Sequence, residues 1–179
     1  MRKVFITGGA GFIGSNAAAY FSKKGDDVTI FDNFSRAGTR ENAEWLVSEY
    51  PDVKVVEGDV RDSAAVEEAM AGAEVVIHLA GQVAVTTSVT DPRNDFEVNA
   101  LGSFNVLEAA RKMEKMPIML YSSTNKVYGG MEDVKIVEKN GRYAYDGLDM
   151  GVSEERGLDF HSPYGCSKGA ADQYFHDYF

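Results

Sequence analysis

The sequence has 179 residues, with 18 Lys+Arg against 28 Asp+Glu, a formal charge of −10, and a single cysteine, Cys166. With 44% hydrophobic and 26% charged residues it has the composition and size of one globular domain, which excludes a disordered, fibrous or membrane-embedded chain. The acidic balance, with no basic run longer than Lys23-Lys24, argues against nucleic acid or a membrane surface as a partner; the lone cysteine fits a reducing, cytoplasmic compartment, and the scattered His78, His161 and His176 give no metal spacing.

Met1-Arg2-Lys3 imitates the basic head of a signal peptide, but the apolar run Val4-Phe5-Ile6 breaks at Gly8-Gly9, so no leader or membrane span is expected. Val4–Ile6 reads instead as a buried strand. Directly after it, Thr7-Gly8-Gly9-Ala10-Gly11-Phe12-Ile13-Gly14 places glycines at 8, 11 and 14 as the chain turns into a helix over Phe12–Lys24. In that pattern Gly8 permits the tight turn, Gly11 admits a pyrophosphate close to the backbone, and Gly14 lets the helix pack closely; the free N–H groups and dipole of the helix would hold the phosphates. Such turns also close strand–helix junctions for packing alone, so the pattern needs company.

Company comes from the second strand, Val28–Phe31, which ends at Asp32, close to the spacing expected for a carboxylate that accepts the ribose hydroxyls of a dinucleotide. An acid there repels a 2′-phosphate and favours NAD over NADP, although Arg36 and Arg40 stand near enough to soften the preference. Asp32 is also a common kind of strand-end turn residue. A helix over Arg40–Tyr50, a strand at Val53–Val56, a helix over Ser63–Met70 and a strand at Val75–Leu79 follow. Gly58-Asp59-Val60 and Leu79-Ala80-Gly81 fall at the carboxyl ends of the third and fourth strands, where adenine and the rest of the dinucleotide would lie. After Pro92 a helix is expected to run to about Lys115, and a fifth strand follows at Ile118–Tyr121.

This alternation predicts an α/β fold, a doubly wound parallel sheet of Rossmann type in the order 3-2-1-4-5. Gly129–Ser162 has no clear period and reads as a functional loop or insertion. Pro163 opens a last helix, Tyr164–Phe179. With no strand after the fifth, that sheet edge is expected to be unprotected, and the chain to be a portion of a longer protein.

The last helix carries the chemistry. Tyr164 and Lys168 are four residues apart, hence on one face, and the fifth strand ends in Ser122-Ser123-Thr124, which brings a hydroxyl to the same carboxyl edge as the glycine turn. A secondary alcohol loses hydride only as its O–H proton is removed, and a tyrosinate is a fitting base once an adjacent ammonium favours it. Lys168 is the tuner, able also to bond the nicotinamide ribose, and Thr124 orients the substrate oxygen. Cys166 is assigned to packing. His161 stands as either a substrate contact or a cap residue.

Thr7–Gly14, Asp32-Asn33, His78-Leu79-Ala80, Asn99 before Gly102, Ser122–Thr124 and the Tyr164/Lys168 pair together resemble the extended short-chain dehydrogenase/reductase family of nucleotide-sugar epimerases and dehydratases. Two stretches, Ser122–Gly129 and Asp159–Tyr174, with Gly81-Gln82-Val83-Ala84, are similar to the branch that epimerises CDP-linked 3,6-dideoxyhexoses at C2. The resemblance implies tightly held NAD that takes a hydride from C2 and returns it to the opposite face. It makes Tyr164 the base, Thr124 the hydroxyl partner and Lys168 the tuner, with Ser122 beside them. It lines the cofactor with Gly8, Gly11, Phe12, Ile13 and Gly14 from the turn, and with Asp32, Asn33, Ser35 and Arg36 after the second strand. Asp59, Val60, Leu79, Ala80, Gln82 and Asn99 complete that lining.

Dehydratases of the family carry Asp-Glu after the threonine, whereas Asn125-Lys126 stands here, leaving nothing to protonate a departing hydroxyl. Relatives continue for roughly another domain. Residues 1–179 are thus expected to be the NAD-binding domain with the catalytic helix, lacking the substrate-binding part. A UDP-hexose 4-epimerase and a truncated, non-catalytic NAD-binding module remain the alternatives. A homodimer through the helix before the fifth strand and the Tyr164 helix is expected by analogy.

Overall fold

The computed structural model describes residues 1–178. Five strands, β1 (Lys3–Thr7), β2 (Asp27–Asp32), β3 (Lys54–Glu57), β4 (Val75–His78) and β5 (Ile118–Tyr121), form a parallel sheet in the order β3-β2-β1-β4-β5. The expected order is therefore the one found. Alternate residues of β1 serve two separate cores. Val4 and Ile6 pack with Val28, Ile30, Ala18 and Leu46 under α1 (Phe12–Lys23) and α2 (Thr39–Glu49). Phe5 packs on the other face with Phe31, Val76, Val66, Met70 and Val106, beneath α3 (Ser63–Met70) and α6 (Gly102–Arg111). Burial on both faces explains why the strands read as continuous apolar runs. Asp62 caps α3 by accepting from the amides of Ala64 and Ala65.

Past β4 the structure departs from expectation. The helix foreseen from Pro92 to about Lys115 is α5 (Pro92–Phe96), a π-helical turn over Glu97–Leu101, and α6, which ends at Arg111. Before it lies α4 (Val85–Thr90), which the sequence hides because Val85-Thr86-Thr87-Ser88-Val89-Thr90 is rich in β-branched residues that favour extended chain. Tertiary contact overrides that preference: Ser88 is buried, and its hydroxyl receives the Tyr164 amide at 3.1 Å.

The stretch 129–162 is not wholly irregular, since β6 (Ile136–Lys139) and β7 (Arg142–Tyr145) form an antiparallel hairpin. Its turn, Asn140-Gly141, has positive φ at both residues, the Asn-Gly signal that the aperiodic reading overlooks. The last helix, α7 (Ser162–Asp177), begins two residues early, and Phe179, its expected end, lies outside the described residues. Ile118 and Leu120 on β5 are exposed, as expected of an uncovered edge strand. Among the described residues no helix is long and apolar enough to cross a membrane, and no cluster of His, Cys, Asp and Glu is arranged to hold a metal ion.

Candidate active site

The carboxyl edge of the sheet carries the glycine turn after β1, Asp32 at the end of β2, Asp59 after β3 and the chain leaving β4 and β5. After β1 the chain enters α1 through Gly11, which supplies no side-chain cap. The first N–H groups of α1, at Phe12, Ile13 and Gly14, have no intrahelical partner by helix geometry and face the edge with the positive end of the dipole. A Cβ on Gly11 would meet only the Gly8 carbonyl oxygen, at 3.2 Å, so the approach to these donors is open. Phe12 and Ile13 are exposed on the same turn. This is an anion cradle of the kind a pyrophosphate fits.

Asp32 does more than await a ribose. One carboxylate oxygen accepts from the Ala10 amide and the other from the Phe34 amide, both at 3.0 Å, which pins the glycine turn to the end of β2. Each oxygen keeps lone pairs for a further donor. Next to it Asn33 donates to Asp59, whose carboxylate also holds Arg61 and is thereby kept well below the usual carboxylate range. Ser35 and Arg36 are exposed beyond Asp32. Arg40, near enough in sequence to soften the preference for NAD, pairs with Glu57 at the surface and lies over the Phe34 ring. Val60 is buried, and Leu79 and Ala80 are half-buried at the end of β4.

Thr124 lies just past β5 with its hydroxyl oxygen accepting from the Lys126 amide at 3.2 Å, so the 3₁₀ turn Asn125–Tyr128 fixes its position and leaves its O–H free to donate. Lys168 on α7 is buried, and its ammonium donates to the Ser122 carbonyl at 2.6 Å while lying 4.1 Å from the Tyr121 ring centre. Burial pushes the Lys168 amine down to about 8, against the pull of Asp172 and Asp95. Tyr164, one turn earlier, is half-buried on the same helix. Ser162, just before Pro163, has φ +66° and accepts the Gly165 amide, so the chain enters α7 through a left-handed residue. Cys166, assigned to packing, is in fact exposed: it falls on the outer face of α7, opposite the buried side. His161 makes no cap and pairs with Asp159 at 3.1 Å.

Beneath these groups runs a polar network of which the sequence names Gln82 and Asn99 as cofactor lining and His78 within a motif, while it gives no role to Asp95, Ser103 or Ser167. His78 is fully buried, stacked on Tyr121 and Phe175, with Nδ1 2.6 Å from the Thr7 hydroxyl and Nε2 2.9 Å from Ser103. Because Ser103 donates to the Asn99 carbonyl, it accepts from Nε2–H, and Thr7, which receives the Ala80 amide, donates to Nδ1. His78 is thus neutral, and burial holds it down to about 3. Asn99, 1% exposed, spends its amide on Gln82, Asp95 and Ser167, and Gln82 is tied in turn to Ala84 and Asp95. The signal was legible: Asp95, Asn99 and Ser103 recur every four residues as a polar stripe where a core-facing helix should be apolar.

The His78 environment has a pH consequence. An imidazole near 6.5 when unfolded but held neutral when folded gives stability that is complete above pH 6.5 and lost as pH falls toward 3. Each pH unit below 6.5 is expected to cost about 1.4 kcal/mol, roughly 2 kcal/mol by pH 5. Denaturant titrations at pH 7 and pH 5 should show this loss in wild type and not in His78→Gln; equal slopes in the two proteins would refute it.

The sequence family described as GDP-mannose 4,6 dehydratase matches residues 5–179. The chain belongs to that family. The CDP-paratose 2-epimerase of Salmonella typhi is 47% identical over 178 residues, 98% of this chain and 52% of that protein. A putative UDP-glucose 4-epimerase of Methanocaldococcus jannaschii is 34% identical, across 96% of this chain and 49% of that one. Among solved structures, a UDP-glucose 4-epimerase of Thermus thermophilus in complex with NAD superposes with a TM-score of 0.77 at 34% identity, covering 98% of this chain and 50% of that one. This chain therefore spans about half the length of the curated relatives it matches.

Proposed function

We propose that residues 1–179 form the NAD-binding and proton-transfer unit of a nucleotide-sugar epimerase, acting in the cytoplasm on a CDP-linked 3,6-dideoxyhexose and turning CDP-paratose into CDP-tyvelose at C2. One observation supports this: the carboxyl edge that opens the uncapped N-terminus of α1 also holds a buried Lys168 ammonium bonded to the Ser122 carbonyl, with Thr124 two residues past Ser122 and Tyr164 one helical turn before Lys168. The 47% identity to a CDP-paratose 2-epimerase favours the CDP-sugar among the family's substrates.

The residues suit the cofactor. The amides of Phe12 and Ile13 in the glycine turn would hold its pyrophosphate, Asp32 and Asn33 a ribose, Asp59 and Val60 the adenine side. Leu79, Ala80, Gln82, Ser122, Tyr164 and Lys168 would border the nicotinamide side, while Asn99, expected in that lining, is buried beneath it with its amide spent on Gln82, Asp95 and Ser167. Bound there, NAD supplies the acceptor that takes hydrogen with its electron pair from the sugar carbon and later gives it back.

Tyr164 takes the C2 hydroxyl proton as that hydrogen leaves, and Thr124 donates to the oxygen as it becomes a carbonyl. Lys168, one turn on along α7, sets a positive charge on the helix face that carries the base. The keto-sugar turns over, its other face receives the hydrogen, and Tyr164 returns the proton to the oxygen. Asn125-Lys126 offers no carboxylic acid to expel a hydroxyl as water, which sets this chain apart from a dehydratase.

Incubating the full-length protein with CDP-paratose and following the anomeric signals by NMR should show CDP-tyvelose. Turnover of UDP-glucose instead would favour the 4-epimerase alternative, supported by the Thermus neighbour. Turnover of neither, with NAD still bound, would leave a binding module. Self-association belongs to the same proposal: α6 and α7 pack together through Phe104 and Tyr174, and Tyr174 on α7 and Leu101 at the end of the π-helical turn before α6 stay exposed. Sedimentation giving only monomer would count against the dimer.

A further inference from the structure

Asp95 is a fully buried carboxylate without a salt-bridge partner among the described residues. A charge in such a place is expensive unless several donors meet it. Three do. Gln82 Nε2 and Asn99 Nδ2 donate to one oxygen, at 2.8 and 3.2 Å, and the Ser167 hydroxyl donates to the other at 2.5 Å. The donors come from three different elements: the loop after β4, the π-helical turn and α7. Ser167 is the residue next to Lys168 and one turn after Tyr164.

We propose that Asp95 is a positioning residue for the Tyr164–Lys168 pair: through Ser167 it sets the register of α7 against the sheet edge and gives the buried Lys168 ammonium a counter-charge. The proposal rests on the epimerase reading for its kinetic arm alone. The Lys168 ammonium feels Asp172 on its own helix and Asp95 on α5, lies against Tyr121 and the Ser122 carbonyl at the end of β5, and acts in turn on neutral His78 on β4. Asp95 and Asp172 are the two anions that oppose its burial. A π-helical turn fits this role, since its added residue re-aims one side chain, here Asn99, toward the same carboxylate.

Two variants separate tether from charge. Asp95→Asn keeps the shape: its carbonyl still receives Gln82 and Asn99, and its amide faces the Ser167 oxygen, which then donates to the Tyr164 carbonyl 3.2 Å away. Ser167→Ala keeps the charge and removes the tether. In the full-length protein, Ser167→Ala is expected to speed amide exchange over Tyr164–Lys168 by about tenfold, the factor that loss of a charge-assisted hydrogen bond represents. Asp95→Asn is expected to leave that exchange near wild type. It should lower kcat on the order of tenfold with KM unchanged, and move the alkaline limb of the pH profile to lower pH, because Lys168 gives up its proton sooner without the anion. Unchanged exchange in Ser167→Ala, or an unmoved alkaline limb in Asp95→Asn, would overturn the proposal. A wild-type protein that turns over no nucleotide sugar would sink the epimerase reading alone, and the exchange result would still decide the tether.

Discussion

Replacing Tyr164 by Phe in the full-length enzyme is expected to lower epimerisation of CDP-paratose on the order of 10³-fold, within the usual span for loss of a proton-transferring group. The substitution deletes one oxygen and leaves the ring. The Tyr164 backbone contact to Ser88 is made by the amide and survives, as does the Lys168 bond to the Ser122 carbonyl, so α7 should keep its place. NAD affinity and melting temperature should therefore stay close to wild type. A small loss of rate, or a loss matched by failure to bind NAD, would show that the phenol is not the base.

The second large effect is expected at Gly14. A Cβ there would lie 2.3 Å from the Gly8 carbonyl oxygen and 2.7 Å from the Gly9 Cα, both backbone atoms that move only if the turn itself moves. Gly14→Ala should cost about 1–3 kcal/mol or more in stability, as overpacking of a tight contact does, and abolish NAD binding by forcing α1 off the loop. Gly11→Ala is the informative contrast. Its Cβ meets one atom at 3.2 Å and otherwise open space, so stability should change little while NAD affinity falls as the methyl group occupies the approach to the Phe12 and Ile13 amides. Isothermal titration with NAD alongside thermal melts reads both. Equal effects of the two substitutions would contradict the division of labour assigned to these glycines.

The sheet was legible because β1, β2 and β4 are buried on both faces and so appear as apolar runs bounded by Gly, Asp or Ser. The glycine turn and the Tyr164/Lys168 pair were legible because both obey fixed local spacings. What escaped was decided by contacts distant in sequence. The β-branched α4 is held helical against its propensity with Ser88 engaged by Tyr164, 76 residues away. The polar stripe Asp95, Asn99 and Ser103 marks the π-helical turn's segment as unusual, but its purpose emerges only when Asp95, Asn99 and Ser167 meet. Asp32 was placed correctly at its strand end, but its hold on Ala10 belongs to the folded loop. Arg40, close to Asp32 in sequence, pairs at the surface with Glu57 at the end of β3, a contact that sequence distance does not suggest.

The central claim, that this edge strips an alcohol of its proton while its carbon-bound hydrogen departs and returns, is tested most directly by isotope. CDP-paratose carrying deuterium at C2, converted in ordinary water by the full-length protein, should give CDP-tyvelose that retains the deuterium at C2, with a transient rise in the absorbance of reduced nicotinamide during a single turnover. Product that has exchanged its C2 deuterium for solvent hydrogen, with no such transient, would mean simple deprotonation at carbon and would contradict the account.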